Sequence, residues 1–231
     1  MPCEATCIAA GRVRTRDGDE NERPLGSGLS NPSTERSQLV PAHLKVSLQL
    51  IEDGAGDRDS AIIDVGGGES TLVDDLSAMG YRNVSVLDVS SIVLDVARAR
   101  LQTRAAHVKW LYGDVTTFSF DAHAYDVWHD RAVFHFLTEA EARVAYVRQV
   151  ARAVKPGGHV IVAAFGPEGP TKCSGLDVVR YDPHALHDKF GARFELVDHL
   201  TELHLTPAGA VQQFVYCYCR VASQSAARRR T

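Results

Sequence analysis

Between residues 36 and 221 the apolar positions follow two alternating rhythms, short continuous runs and stripes at a three- or four-residue spacing. A continuous run of about four to eight apolar residues fits a strand covered on both faces, and a stripe fits a helix with one buried side. The first stripe is Leu44, Leu48 and Ile51, after Pro41, whose fixed φ suits a first helical turn. AIIDV (61–65) then reads as a buried strand, followed by a helix over about 70–79 with Leu72 and Leu76 inward and Gly80 as its stop. Next come strand VSVLDV (84–89), a helix over 91–101, strand VKWLYGD (108–114) and strand YDVWHD (125–130). Thr138 with Glu141 three residues later predicts a capping box. It opens a helix carrying Val144, Val147, Val150 and Val154 on one side and ending at Lys155-Pro156-Gly157-Gly158. HVIVAAF (159–165) is a fully apolar strand.

Helices and strands in alternation imply a mainly parallel sheet covered on both faces, an α/β doubly wound, Rossmann-like arrangement. The last stretch breaks the rhythm. FELVDHLTELHL (194–205) and QQFVYCYCR (212–220) flank the turn-prone Thr206-Pro207-Ala208-Gly209, so they are expected to pair as an antiparallel hairpin closing the sheet.

Outside this region the pattern fades. Residues 1–35 are rich in Arg, Asp, Gly, Ser and Pro without apolar periodicity, and are expected to be a disordered N-terminal segment. Residues 222–231, ending ARRRT, read as a basic flexible tail. One domain over 36–221 is therefore expected within the 231 residues. A formal charge of -4 argues against nucleic acid as the main partner. No apolar run reaches the roughly 20 residues that span a bilayer, so no membrane association is expected. Cys3, Cys7, Cys173, Cys217 and Cys219 lack the paired spacing of a zinc site or disulfide framework, and with acids interrupting the N-terminal arginines a cytoplasmic location is expected.

The candidate chemistry starts at IIDVGGGESTLVDDL (62–76), an apolar run ending in an acid and three glycines. In a strand-loop-helix unit this loop lies at the carboxyl end of the sheet, where open parallel sheets bind ligands. Gly66 and Gly68 are read as letting the backbone approach that ligand. The dinucleotide fingerprint is incomplete, since Thr71 stands where its third glycine belongs, which counts against a nucleotide-dependent oxidoreductase. Asp88 ends the next strand, where a carboxylate can accept two hydrogen bonds from a ribose diol, and Gly113-Asp114 closes the third strand on the same edge.

These residues and the closing hairpin resemble the class I S-adenosylmethionine-dependent methyltransferases over about residues 36–221. The resemblance implies a seven-stranded sheet and S-adenosyl-L-methionine as cofactor. By position, Asp64, Gly66, Gly67 and Gly68 would surround its methionine part, Asp88 and Val89 its ribose, Asp114 its adenine amino group, and the Val115 backbone its adenine edge. GGGESTL, GYRNVSVLDVS and YDVWHDRAVFHFLT also look like segments of lysine methyltransferases that modify elongation factor 1A and citrate synthase. Arg131-Ala132 in place of Lys-Gly, and Leu39-Val40 in place of Trp-Tyr, depart from that pattern near the acceptor side. The substrate is therefore not carried over.

Asp130, ending the fourth strand, is the candidate to orient the cofactor's ammonium or an incoming amine, with a plain helix cap as the competing role. His135 is the candidate proton acceptor, and His129 points to the face opposite Asp130. His184 and His187 share a helix face without a third metal ligand in sequence. Cys173, in the long loop after the fifth strand, is read as a small buried side chain, with binding of a soft acceptor as the competing role, one that convergence with the sulfurs of Cys217 and Cys219 would favour. The expected function is methyl transfer to a small molecule, because almost no chain is left over to grip a macromolecule. A protein lysine is the alternative acceptor, and a cofactor-binding module without catalysis is the alternative of another class.

Overall fold

A computed structural model describes residues 43–206 and 209–223. The expected disordered segment 1–35, Leu39-Val40, Pro41, Pro207-Ala208 and all but two residues of the basic tail lie outside the described residues. The elements run α1 (Lys45–Gly54), β1 (Ile62–Val65), α2 (Leu72–Ala78), β2 (Val84–Asp88), α3 (Ser91–Leu101), β3 (Val108–Tyr112) and β4 (Tyr125–Arg131). They continue α4 (Ala140–Ala153), β5 (Val154–Phe165), β6 (Lys172–Cys173), β7 (Leu176–Asp177), α5 (Pro183–His187), β8 (Phe194–Leu205) and β9 (Val211–Val221).

Seven strands form one sheet in the order β3-β2-β1-β4-β5-β9-β8, and its mainly parallel make-up with a closing antiparallel hairpin is as the sequence predicts. The first five are parallel, and β9 enters antiparallel between β5 and β8. Winding reverses between β1 and β4, so a crevice opens at their carboxyl ends. Ile62, Val86, Val127 and Ile161 pack on one face with Ile51, Leu72 and Leu94 from α1 to α3. Ile63, Val65, Trp128 and Val160 pack on the other with Tyr146 and Val150 of α4 and Leu186 of α5. Continuous apolar strands are thus explained by helices on both sides. β8 ends the sheet and is exposed along most of its length, with a register shift between Leu196 and Asp198.

Three local expectations differ. The N-cap of α4 is Glu139, one residue past Thr138, and it makes no side-chain cap bond, so the capping box does not form. Arg143 Nη1 instead donates to the Leu137 and Thr138 carbonyls at 2.6 and 2.8 Å. The inward side of α4 is Tyr146, Val150 and Ala153, while Val144 is 68% exposed. At about 100° per residue, Val144 lies roughly 200° from Tyr146, and the large ring decides which side is buried. Finally, Lys155-Pro156-Gly157-Gly158 forms an irregularity within β5, because Val154 already pairs with Tyr125 and pairing resumes at His159–Val127. The Gly80 stop forms as expected, with φ +87° and Tyr81 N–H donating to the Leu76 carbonyl at 3.0 Å.

Candidate functional site

The carboxyl ends of β1, β2 and β3 and the chain following β4 enclose a cavity of about 340 Å³. Gly66, Asp88, Val89, Asp114 and Val115 line it, joined by Val133, Phe136, Leu137 and Thr138 after β4 and by Leu176 and Asp177 of the β6–β7 ribbon. Of the residues singled out in the sequence, those at the ends of β2 and β3 therefore meet in one space.

The glycine loop is shaped by the protein itself. Gly66 has φ +71°, a conformation that favours glycine, and a Cβ there would fall 2.1 Å from Val133 Cγ2. A Cβ on Gly67 would meet Asp64 Oδ2 at 2.2 Å, and one on Gly68 would meet Val93 Cγ2 at 2.2 Å. The expected reason for Gly66 and Gly68, collision with a ligand, is thus replaced by collision with neighbouring side chains. Gly67 and Gly68 are buried behind the cavity surface, as is Asp64, which is 2% exposed.

Asp88 joins loop to cavity. Its Oδ2 accepts from Gly68 N–H at 3.2 Å and its Oδ1 from Ser90 N–H at 2.9 Å. Burial raises its pKa above the ordinary carboxylate value, opposed by those two N–H groups. Each oxygen keeps a lone pair for a further donor, which suits a vicinal diol. On Asp114, Oδ1 accepts from Thr116 N–H and Oγ1 at 2.8 and 2.7 Å, leaving Oδ2 open among the described residues. A cavity of this size, with one carboxylate braced for a diol and another open for an amino group, fits a nucleoside ligand.

Asp64 and His129 pair across neighbouring strands, with His129 Nδ1–H donating to Asp64 Oδ1 at 2.7 Å. Asp64 Oδ2 and His129 Nε2 are buried without hydrogen-bond partners among the described residues. Asp130 is fully buried on the opposite face. Its Oδ1 accepts from Val133 N–H at 2.8 Å, and its Oδ2 from Phe134 N–H at 3.1 Å and Tyr146 O–H at 2.6 Å. Burial pushes its pKa up to about 6, against the Tyr146 hydrogen bond. His135 is equally covered and packs 4.4 Å from the Phe165 ring, and burial lowers its pKa to about 3. Neither side chain lines the cavity, so the direct contact with cofactor or acceptor expected of Asp130 and His135 is not what their placement offers. Asp130 instead braces the entry to the short 3-10 turn Phe134–Phe136 by accepting from Val133 and Phe134 N–H, close to the capping role the sequence left open.

The sulfurs do not converge. Cys217 and Cys219 Sγ lie 3.2 Å apart within the α4–α5 core, whereas Cys173 belongs to the core on the other face. His187 Nε2 bonds the Phe194 carbonyl at 2.9 Å, and no group of three metal-ligating side chains occurs among the described residues. No helix among them is long and apolar enough to cross a membrane. The apolar wall of Val133, Phe136, Leu137 and Leu176 was missed from sequence. Only the run AVFHFL gave a sign of it.

Strand order, glycine loop and paired acids define a doubly wound α/β protein built to hold a nucleoside at its switch point. The sequence profile described as a methyltransferase domain matches residues 62–158, and the fold is that of the class I S-adenosylmethionine-dependent methyltransferases. Solved structures share the fold. A SAM-dependent methyltransferase from Methanosarcina mazei superposes with a TM-score of 0.63 at 16% identity, over 76% of this chain and 98% of that one. The 1,6-didemethyltoxoflavin-N1-methyltransferase of Burkholderia thailandensis, with bound 1,6-didemethyltoxoflavin and S-adenosylhomocysteine, gives 0.61 at 16% identity over 78% of each chain. The N-methyltransferase NodS of Bradyrhizobium japonicum, with S-adenosylhomocysteine, gives 0.59 at 17% identity over 77% of this chain and 84% of that one. A search of curated proteins finds no significant match.

Proposed function

We propose that the enzyme methylates a small-molecule acceptor. The observation carrying this reading is the wall opposite Asp88. There the β6–β7 ribbon brings Leu176 against the same space as Val133, Phe136 and Leu137, and the acid on that wall, Asp177, is ion-paired with Lys172 at 3.2 Å, so the enclosure is mainly apolar rather than an acidic channel. A lysine ammonium would call for carboxylates at that wall, and Asp130 is sealed beneath it.

In this reading Asp88 and Val89 hold the ribose, and Asp114 with the Val115 backbone holds the adenine. Gly66 supplies the backbone beneath the methionine part. Asp64, Gly67 and Gly68 act from behind, Asp64 tied to His129 and Gly68 to Asp88. S-adenosylmethionine supplies an activated methyl group on a sulfonium, moved by in-line displacement. The protein's share is alignment and exclusion of water, which suffices for a nucleophilic acceptor. Asp130 serves alignment indirectly, since it fixes the turn that carries Val133 and Phe136 into the cavity. The structural neighbour with bound 1,6-didemethyltoxoflavin, a small molecule, agrees with this reading at the level of fold.

The test is a labelled-methyl assay on a cell lysate, fractionated after reaction. Label in the small-molecule fraction supports the reading, and label confined to protein lysine overturns it.

A further inference from the structure

We propose that the acceptor carries an anionic group, a carboxylate on a planar body, and that Arg131 receives it. This rests on the small-molecule reading and adds the substrate class.

Arg131 ends β4, and the pairing of Val65 with Asp130 sets it beside Gly66. Asp88 and Asp114 mark the nucleoside end of the cavity on the β2–β3 side, so the reacting end and the acceptor belong on the β4–β5 side, where Arg131 stands. Its side chain is only 12% exposed. The guanidinium lies 3.9 Å above the Phe214 ring, and its Nε donates to Tyr216 Oη at 3.1 Å. Tyr216 is in turn fixed by Glu202, to which it donates at 2.8 Å.

Yet the fork is unfilled. Arg131 Nη2 is ion-paired with Glu202 Oε2 at 3.6 Å, but it is buried and has no hydrogen-bond acceptor among the described residues. A buried N–H without a hydrogen-bond acceptor is costly, and a planar guanidinium is matched by a carboxylate that accepts two parallel N–H bonds. The surroundings suit a flat acid: Phe214 lies 4.8 Å from Phe165, and Phe165 lies 4.4 Å from His135. A cationic lysine at this place would meet like charge.

The experiment uses the full chain saturated with S-adenosylhomocysteine and compares benzoate with benzamide, equal in shape and different in charge, by calorimetry. Benzoate should bind at least tenfold more tightly. Arg131→Gln should abolish that preference while still binding S-adenosylhomocysteine, and Arg131→Lys should lose most of it because the fork is gone. Glu202→Gln, which removes the competing carboxylate, should tighten benzoate severalfold, a result that a purely structural Arg131–Glu202 latch does not give. Equal binding of benzoate and benzamide, a preference surviving in Arg131→Gln, or weakened benzoate binding in Glu202→Gln overturns the proposal. If the Arg131 variants fail to fold, the sign of the Glu202→Gln effect decides. Label transferred only to neutral small molecules overturns this inference alone, and label confined to protein lysine overturns the small-molecule reading as well.

Discussion

Replacing Asp130 by asparagine separates a cap from a reacting group. In the folded protein its pKa is raised from 3.8 to about 6. A raised acid contributes stability that is complete below its unfolded pKa and is lost as pH rises through the folded one. The wild type should therefore lose about 3 kcal/mol from this group between about pH 4 and 6. Asparagine cannot ionise, so that loss vanishes. Its amide nitrogen, however, must face either Val133 N–H or the pair Phe134 N–H and Tyr146 O–H. Orphaning a buried donor costs about 1–3 kcal/mol. Near pH 7 the two effects should nearly cancel, and at pH 4 the variant should be less stable by about 1–3 kcal/mol. Urea denaturation of both proteins from pH 4 to 7.5 measures the difference. A variant with the wild-type pH slope would refute the burial argument. Turnover reduced more than tenfold at unchanged stability and cofactor affinity would show that the carboxylate does reach the reaction.

Asp88→Ala should weaken S-adenosylmethionine and S-adenosylhomocysteine binding by about 1.5–3 kcal/mol, the loss of hydrogen bonds to a charged acceptor, and calorimetry showing unchanged affinity would remove Asp88 from the site. His135→Phe should flatten the acid limb of stability. A histidine depressed from 6.5 to about 3 stabilises fully above 6.5 and loses that contribution as pH falls toward 3, about 5 kcal/mol in all, and an unchanged limb by denaturant titration would contradict the burial assigned to it. Gly66→Ala should lower the melting midpoint and cofactor affinity together, since its Cβ presses on Val133; unaltered values of both would mean the loop yields freely.

The mainly parallel sheet could be read from the chain because its central strands are largely apolar and alternate with striped helices. Asp88 and Asp114 could be read because an acid at a parallel strand's end has few places to point. What escaped depends on contacts between distant segments. Arg131 meets Tyr216 across 85 positions, and no local pattern announces that meeting. The chain after β4 escaped for another reason: a three-residue 3-10 turn is too short for any period, so Phe134, His135 and Phe136 look alike in sequence although only Phe136 lines the cavity. Asp130 and His135 were drawn toward chemistry by residue type, whereas the fold buries both side chains.

The last strand of the sheet carries a consequence for self-association. β8 offers an outer row of backbone groups without a neighbouring strand among the described residues, and Leu203 and Leu205 near its end are 67% and 63% exposed. Such an edge is a template on which a second copy can add a strand. Glu195 and Asp198 set like charges along it, and the irregularity at Leu196/Asp198 disturbs the flat geometry that stacking needs. Discharging those acids, whether by acidification or by mutation, should turn a self-repelling rim into a sticky one and set the concentration at which the protein begins to form aggregates.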